Sequence, residues 1–104
     1  MRYLNSLHAD HIVMEMARRQ PKELEAFKEL RPEIGLGLGV VDIKRTEIER
    51  ADDIARKIER AEQVLGAGGV RYIHPDCGFW MLERSIADAK IAALVKGRDL
   101  YEGR

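Results

Sequence analysis

Three stretches of the sequence end in side chains able to do chemistry. His11-Ile12-Val13-Met14 runs into Glu15, with Arg18 and Arg19 just beyond. Gly35 to Ile43 delivers Asp42 and then Lys44. Val70 to Ile73 leads into His74-Pro75-Asp76-Cys77-Gly78, which holds the only cysteine of the chain. Carboxylate, imidazole and thiolate are all zinc ligands, and zinc accepts mixed sulfur, nitrogen and oxygen sets. A metal would also hold the thiol as thiolate, its reactive form. With no second cysteine, Cys77 forms no internal disulfide. It reads as a zinc thiolate, a nucleophile or a buried small hydrophobe. Plainer roles exist for the others. Glu15 suits a solvated loop start or a pair with Arg18 or Arg19. Asp42 and Lys44, two apart on a strand, share a face and can neutralise each other. His74, before a proline, is held extended and can bond a backbone carbonyl. His8 reads as solvated and His11 as structural.

The elements that must position these residues follow from periodicity. His11 to Glu15 reads as a strand, and Gln20 to Leu30 as a helix with Leu24, Phe27 and Leu30 on one stripe. Pro21 suits its first turn and Pro32 stops it. Gly35 to Ile43 is a second strand, rich in glycine at its start. Its glycines precede and enter the strand, so they form no dinucleotide fingerprint, which follows a strand and opens a helix. Ala51 to Leu65 is an amphipathic helix with Ile54, Ile58, Ala61 and Leu65 on one face, ended by Gly66, Gly68 and Gly69. Its charged residues, with those from Lys44 onward to Glu62, read as a solvated face. Val70 to Ile73 is the third strand. Ser85 to Leu94, extending toward Leu100, is the last helix, with Ile86, Ala89, Ala93 and Leu94 inward. Met1 to Leu7 resembles the tail of a further helix. The order βαβαβα predicts an α/β fold of parallel strands, order 1-2-3, joined by right-handed crossovers. Strand C-terminal ends then converge on one side, where such folds carry their chemistry. Three strands leave two open edges and a poorly covered face, so the pattern reads as the last part of something larger, with exposed apolar surface.

Composition narrows the function classes. The 104 residues carry 18 basic and 18 acidic side chains, so no net field favours nucleic acid or anionic lipid. Charged residues at 35% beside 45% hydrophobic ones fit amphipathic helices rather than disorder. No apolar run approaches the roughly 20 residues that span a membrane. The N-terminal residues carry no signal-peptide core, and with one cysteine a reducing cytoplasm is the default location.

From about Leu4 to Gly97 the chain resembles a known family. HADHIVMEMAR, EIGLGLGVVDIK and RYIHPDCGFWMLERSIADAKIAALVKG resemble the C-terminal stretch of the catalytic domain of cobalamin-independent methionine synthases. The family's acidic strand end, its G-x-G-V-x-D strand and its Pro-Asp-Cys-Gly turn occur here in order. The resemblance implies a TIM-type (β/α)8 barrel, of which residues 1–104 form the last three βα units as one partial-barrel domain. It also implies a catalytic zinc held by an H-x-C motif, a Glu and a late Cys. Glu15 and Cys77 match the latter two, as metal ligands. The zinc would activate a thiol, homocysteine or another small thiol, to accept a methyl group.

The chain departs from the family pattern at three places. It contains no H-x-C motif, so the ligand set is incomplete and these residues alone are expected to be inactive. A complementing N-terminal half-barrel, or a homo-oligomer, is the implied partner. Lys44 stands where folate-dependent relatives carry a histidine proton donor, which leaves the methyl donor open between a folate and a corrinoid protein. Together with Asp42, Lys44 is the candidate catalytic residue. Lysine there resembles shorter relatives, including corrinoid-dependent synthases and a coenzyme M transferase. His74 replaces the usual Asn and is a candidate second-sphere group or replacement ligand. The rival reading is a non-enzymatic α/β module that self-associates.

Overall fold

The structure, a computed structural model, describes residues 2–31, 33–66 and 68–103. A short helix α1 (Arg2–Asn5) precedes strand β1 (His11–Glu15), a 3₁₀ helix (Pro21–Glu29), β2 (Gly35–Val41), α2 (Ala51–Leu65), β3 (Val70–Pro75) and α3 (Arg84–Glu102). The strands form one parallel sheet in the order β1-β2-β3. This is the α/β, βαβαβα fold expected from the sequence.

The helices cover one face of the sheet. Leu36, Leu38 and Val40 of the central strand meet Ile54, Ile58 and Ala61 of α2 and Leu24 of the 3₁₀ helix in the core. Burying each of the larger side chains contributes about 1.5–3 kcal/mol. Exposed ion pairs such as Arg56–Asp53 contribute about 0–1 kcal/mol each, so apolar burial holds this layer together.

Two helical elements differ from expectation for identifiable reasons. The segment after β1 is a 3₁₀ helix rather than an α-helix. Its apolar residues Leu24, Phe27 and Leu30 recur every three positions, which matches three residues per turn. Glu23 supports its start by accepting a hydrogen bond from the Gln20 amide at 3.0 Å. The expected stop at Pro32 lies outside the described residues. The last helix runs beyond Leu100 to Glu102, because Lys90, Ala93 and Gly97 prolong its buried stripe. Gly97 lies against Ile54 of α2: a β-carbon there would meet the Ile54 β-carbon at 2.5 Å and the Ala51 carbonyl oxygen at 3.2 Å.

The other face of the sheet is built on absence. Gly35, Gly37 and Gly39 carry no side chains there, which lets groups from β1 and β3 meet across β2. Arg71, the extra residue at a register shift in β3, lies over Gly35. The His11 and Tyr72 rings meet with centroids 4.7 Å apart. Val13 and His74 lie over Gly37, and Asp76 lies over Gly39. Val13 is 57% and Tyr72 50% exposed, so this helix-free face shows the apolar surface that the sequence predicts.

Replacing Gly97 tests the close packing of α2 on α3. Helix propensity favours Gly97→Ala by about 1 kcal/mol. Overpacking opposes it by about 1–3 kcal/mol. The overlap with Ile54 decides in favour of loss, so urea unfolding is expected to show a lower midpoint; an unchanged or higher one contradicts the packing described.

Candidate functional site

Parallel strands bring the chemically able residues to one end of the sheet. β1 ends at Glu15, β2 is followed by Asp42, and β3 ends at Pro75, two residues before Cys77. Glu15 and Cys77 therefore stand on the same side, and both are exposed. Exposure removes the buried-hydrophobe reading of Cys77. Glu15, Arg18, Lys22, Lys44 and Asp76 line an open cleft of about 660 Å³ on this side.

The arginines that were candidates to neutralise Glu15 are committed elsewhere. Arg18 pairs with Asp42 at 3.6 Å and Arg19 with Glu23 at 3.4 Å. Among the described residues the Glu15 carboxylate has no ion pair. Asp42 also receives Arg45 at 3.7 Å and accepts a hydrogen bond from the Lys44 amide at 2.8 Å. The plainer alternative, in which Lys44 neutralises Asp42, does not occur among the described residues. β2 stops at Val41, so Lys44 sits in the following loop, exposed and contributing its backbone rather than its ammonium.

Asp76 ties the strand ends together. Its amide donates to the Val41 carbonyl at 2.9 Å, and its Oδ1 accepts from the Ala17 amide at 3.2 Å. The Met16 amide donates to the Gly39 carbonyl at 3.1 Å. Burial pushes the Asp76 carboxyl above its ordinary range; the Ala17 hydrogen bond opposes this, and the charges of Glu15 and Asp42 add to it. Glu15 is thus an electrostatic neighbour of the residue adjoining Cys77.

His74 lies lower on the same face. Its Nδ1 is 2.6 Å from the Pro75 carbonyl oxygen, which only accepts, so Nδ1 carries the proton. Nε2 is buried without a hydrogen-bond partner among the described residues. His8 and His11 are exposed, and His11 is engaged by Tyr72. No group of three His, Cys, Asp or Glu side chains among the described residues is placed to hold a metal ion. No helix among them is long and apolar enough to cross a membrane.

Comparison with known proteins places this geometry. Residues 1–98 match the family described as the cobalamin-independent synthase, catalytic domain. The chain belongs to that family. It is 36% identical over 94 residues to a methionine synthase of Pyrococcus abyssi, covering 90% of this chain and 27% of that one. A methionine synthase of Thermococcus kodakarensis is 31% identical over 98 residues, covering 94% of this chain and 29% of the relative. The fold matches a solved B12-independent methionine synthase from Shewanella sp. W3-18-1, in complex with selenomethionine, with TM-score 0.82 at 20% identity. That match covers 97% of this chain and 29% of the other, and it identifies the three βα units as part of a TIM-type barrel. The chain thus spans under a third of the relatives it matches.

Sequence reasoning passed over the groups that hold this site in shape. Lys90 is fully buried, and its ammonium donates to the carbonyls of Asp42 at 2.9 Å and Glu47 at 2.7 Å. It also pairs with Glu49 at 3.0 Å, and Glu49 Oε2 accepts from the Asp42 amide at 2.9 Å. The loop carrying Asp42 and Lys44 is therefore fastened to α3. The signal was present: Ile86, Lys90, Ala93 and Gly97 share one helical stripe, so a lysine stood among apolar positions.

Substitution at Asp76 separates its hydrogen bond from its charge. Asp76→Ala loses the Ala17 bond and is expected to cost about 0.5–1.5 kcal/mol. Asp76→Asn keeps an acceptor oxygen. Because the folded-state pKa is raised, the stability from protonated Asp76 is present below its ordinary pKa and fades as pH rises through the raised value. Thermal unfolding is expected to show Asp76→Asn gaining on the native chain between pH 3 and pH 7. A relative loss over that range contradicts the assignment.

Proposed function

We propose that this chain supplies the glutamate and late cysteine ligands of a zinc-dependent methyltransferase that methylates a thiol, homocysteine to methionine. One observation carries the reading. Glu15 and Cys77 lie at the same end of the sheet, and among the described residues the Glu15 carboxylate has no ion pair, although two arginines follow it within four residues. An uncommitted carboxylate and an exposed thiol on one side of the sheet suit zinc, whose sites combine oxygen and sulfur donors. When bound, zinc supplies a lowered pKa for a coordinated thiol, keeping it a thiolate near neutral pH.

The chain's own residues do the rest. Asp76 and the Met16 amide hold the Glu15 and Cys77 loops at a common level. Asp42, anchored by Glu49 and Lys90, keeps Arg18 away from Glu15. Residues 1–104 then act as the last three βα units of one barrel domain. Catalytic zinc sites usually have three protein ligands. Two donors make a weak site, and these residues alone do not turn over. The remaining ligands come from the other strands of the barrel. A reducing, cytoplasmic setting keeps Cys77 available as a thiol.

Zinc binding tests this reading. The chain alone is expected to bind zinc weakly, and a barrel completed with a family N-terminal half to bind it tightly. Cys77→Ser is expected to remove the gain, since a hydroxyl is a far poorer ligand than a thiolate. Equal zinc affinity of the Ser variant in the completed barrel rejects Cys77 as a ligand.

Lys44 bears on the methyl donor. Among the described residues its ammonium makes no ion pair, and lysine as a residue type is a poorer proton donor at neutral pH than histidine. A methylcorrinoid leaves without protonation, whereas methyltetrahydrofolate requires it. The completed barrel is expected to use the corrinoid in a homocysteine methylation assay. Turnover with the folate alone contradicts this assignment.

A further inference from the structure

The loop carrying Glu15 is held at consecutive polar groups, from two directions. The Met16 amide donates to the Gly39 carbonyl at 3.1 Å. The next amide, of Ala17, donates to Asp76 Oδ1 at 3.2 Å. The carbonyl of the same residue accepts from Lys57 Nζ at 3.0 Å. Ala17 is therefore gripped at its N–H from the β3 end and at its C=O from α2, two residues past Glu15. Lys57 lies in a helix whose charged residues the sequence assigns to solvent, yet it is half-buried and reaches Ala17 across a separation of 40 residues.

We propose that Lys57 and Asp76 are a pair of positioning residues that fix Glu15 relative to Cys77 by clamping the two ends of Ala17. Neither needs to touch a substrate or ion. Asp76 adjoins Cys77 in the chain, so the same side chain that orders the Glu15 loop is rigidly attached to the cysteine turn. Lys57 stops Ala17 from rotating about its amide contact, because it fixes the opposite end of the residue. Groups that orient ligands in this way typically influence metal affinity by roughly 10–100-fold. The inference rests on Glu15 and Cys77 being metal donors, the function proposed above.

Amide hydrogen exchange and Co2+ titration of the full chain test it. Asp76→Ala and Lys57→Met are each expected to speed exchange at the Ala17 amide by roughly tenfold beyond any change shared by the rest of the sheet. Each is also expected to weaken Co2+ binding by roughly 10–100-fold. Asp76→Asn, which keeps the acceptor, is expected to retain both properties. Arg60→Met, an exposed residue one turn along α2 from Lys57, is expected to change neither. The double change of Lys57 and Asp76 is expected to cost less than the product of the single effects, because both act on one residue. Loss of Co2+ binding in Glu15→Gln and Cys77→Ser, with no effect of Lys57→Met or Asp76→Ala on either readout, overturns the clamp and leaves the donor assignment standing. Unchanged Co2+ affinity in Glu15→Gln and Cys77→Ser overturns the donor assignment and the positioning role with it.

Discussion

The missing β-carbons of β2 are the constraint on which the rest of the structure depends. Gly37 and Gly39 leave a lane along the central strand, and side chains from the flanking strands close over it. A β-carbon on Gly39 would stand 2.5 Å from Asp76 Oδ1 and 2.8 Å from the Met14 carbonyl. Neither neighbour can move cheaply: one is backbone, and the other is hydrogen-bonded to Ala17. The lane therefore does more than relieve crowding. It permits a carboxylate rooted in β3 to reach the loop after β1, across a full strand. On its other face the same strand offers Leu36, Leu38 and Val40 to the core. Alternation along one strand separates adhesion to the helices from assembly of the site.

Charge placement completes what the lane begins. The acidic and basic groups near the strand ends could cancel one another in several ways, and the loops select one arrangement. Lys90, buried in α3, fixes Glu49 and the carbonyls around Asp42. Asp42 is thereby presented to Arg18 and Arg45. Among the described residues Glu15 is left without an ion pair near Asp76, whose carboxyl rises in response to burial and to that nearby charge. A carboxylate that makes no ion pair among the described residues, at a converging set of strand ends, is one that a cation would stabilise. Membership of the cobalamin-independent synthase family gives this vacancy of charge a chemical sense.

The fold and the end of the sheet where the candidate residues converge were legible in the sequence, because both depend on local pattern. β1 and α2 fall where alternation and helical spacing put them. The strand ends at Glu15 and near Cys77 follow from parallel topology alone. The 3₁₀ helix was legible only in part: a repeat of three was visible in Leu24, Phe27 and Leu30, but was read as helical in the commoner sense. What the sequence concealed was long-range. Lys57 looks like any lysine of a charged helix face until the β1 loop folds back onto it. Lys90 departs from its apolar stripe, yet nothing local names the loop it fastens. The pairing of Arg18 with Asp42 rather than Glu15 also depends on loops that meet only in three dimensions.

The central claim is that Glu15 and Cys77 donate to one metal ion. Zinc K-edge X-ray absorption on the zinc-loaded chain tests it most directly. A site that includes Cys77 and Glu15 gives a sulfur shell at about 2.3 Å together with oxygen or nitrogen at about 2.0–2.2 Å. The sulfur shell should vanish in Cys77→Ser while the lighter shell remains. A spectrum of oxygen and nitrogen neighbours alone, identical in the native chain and the Ser variant, would contradict the account.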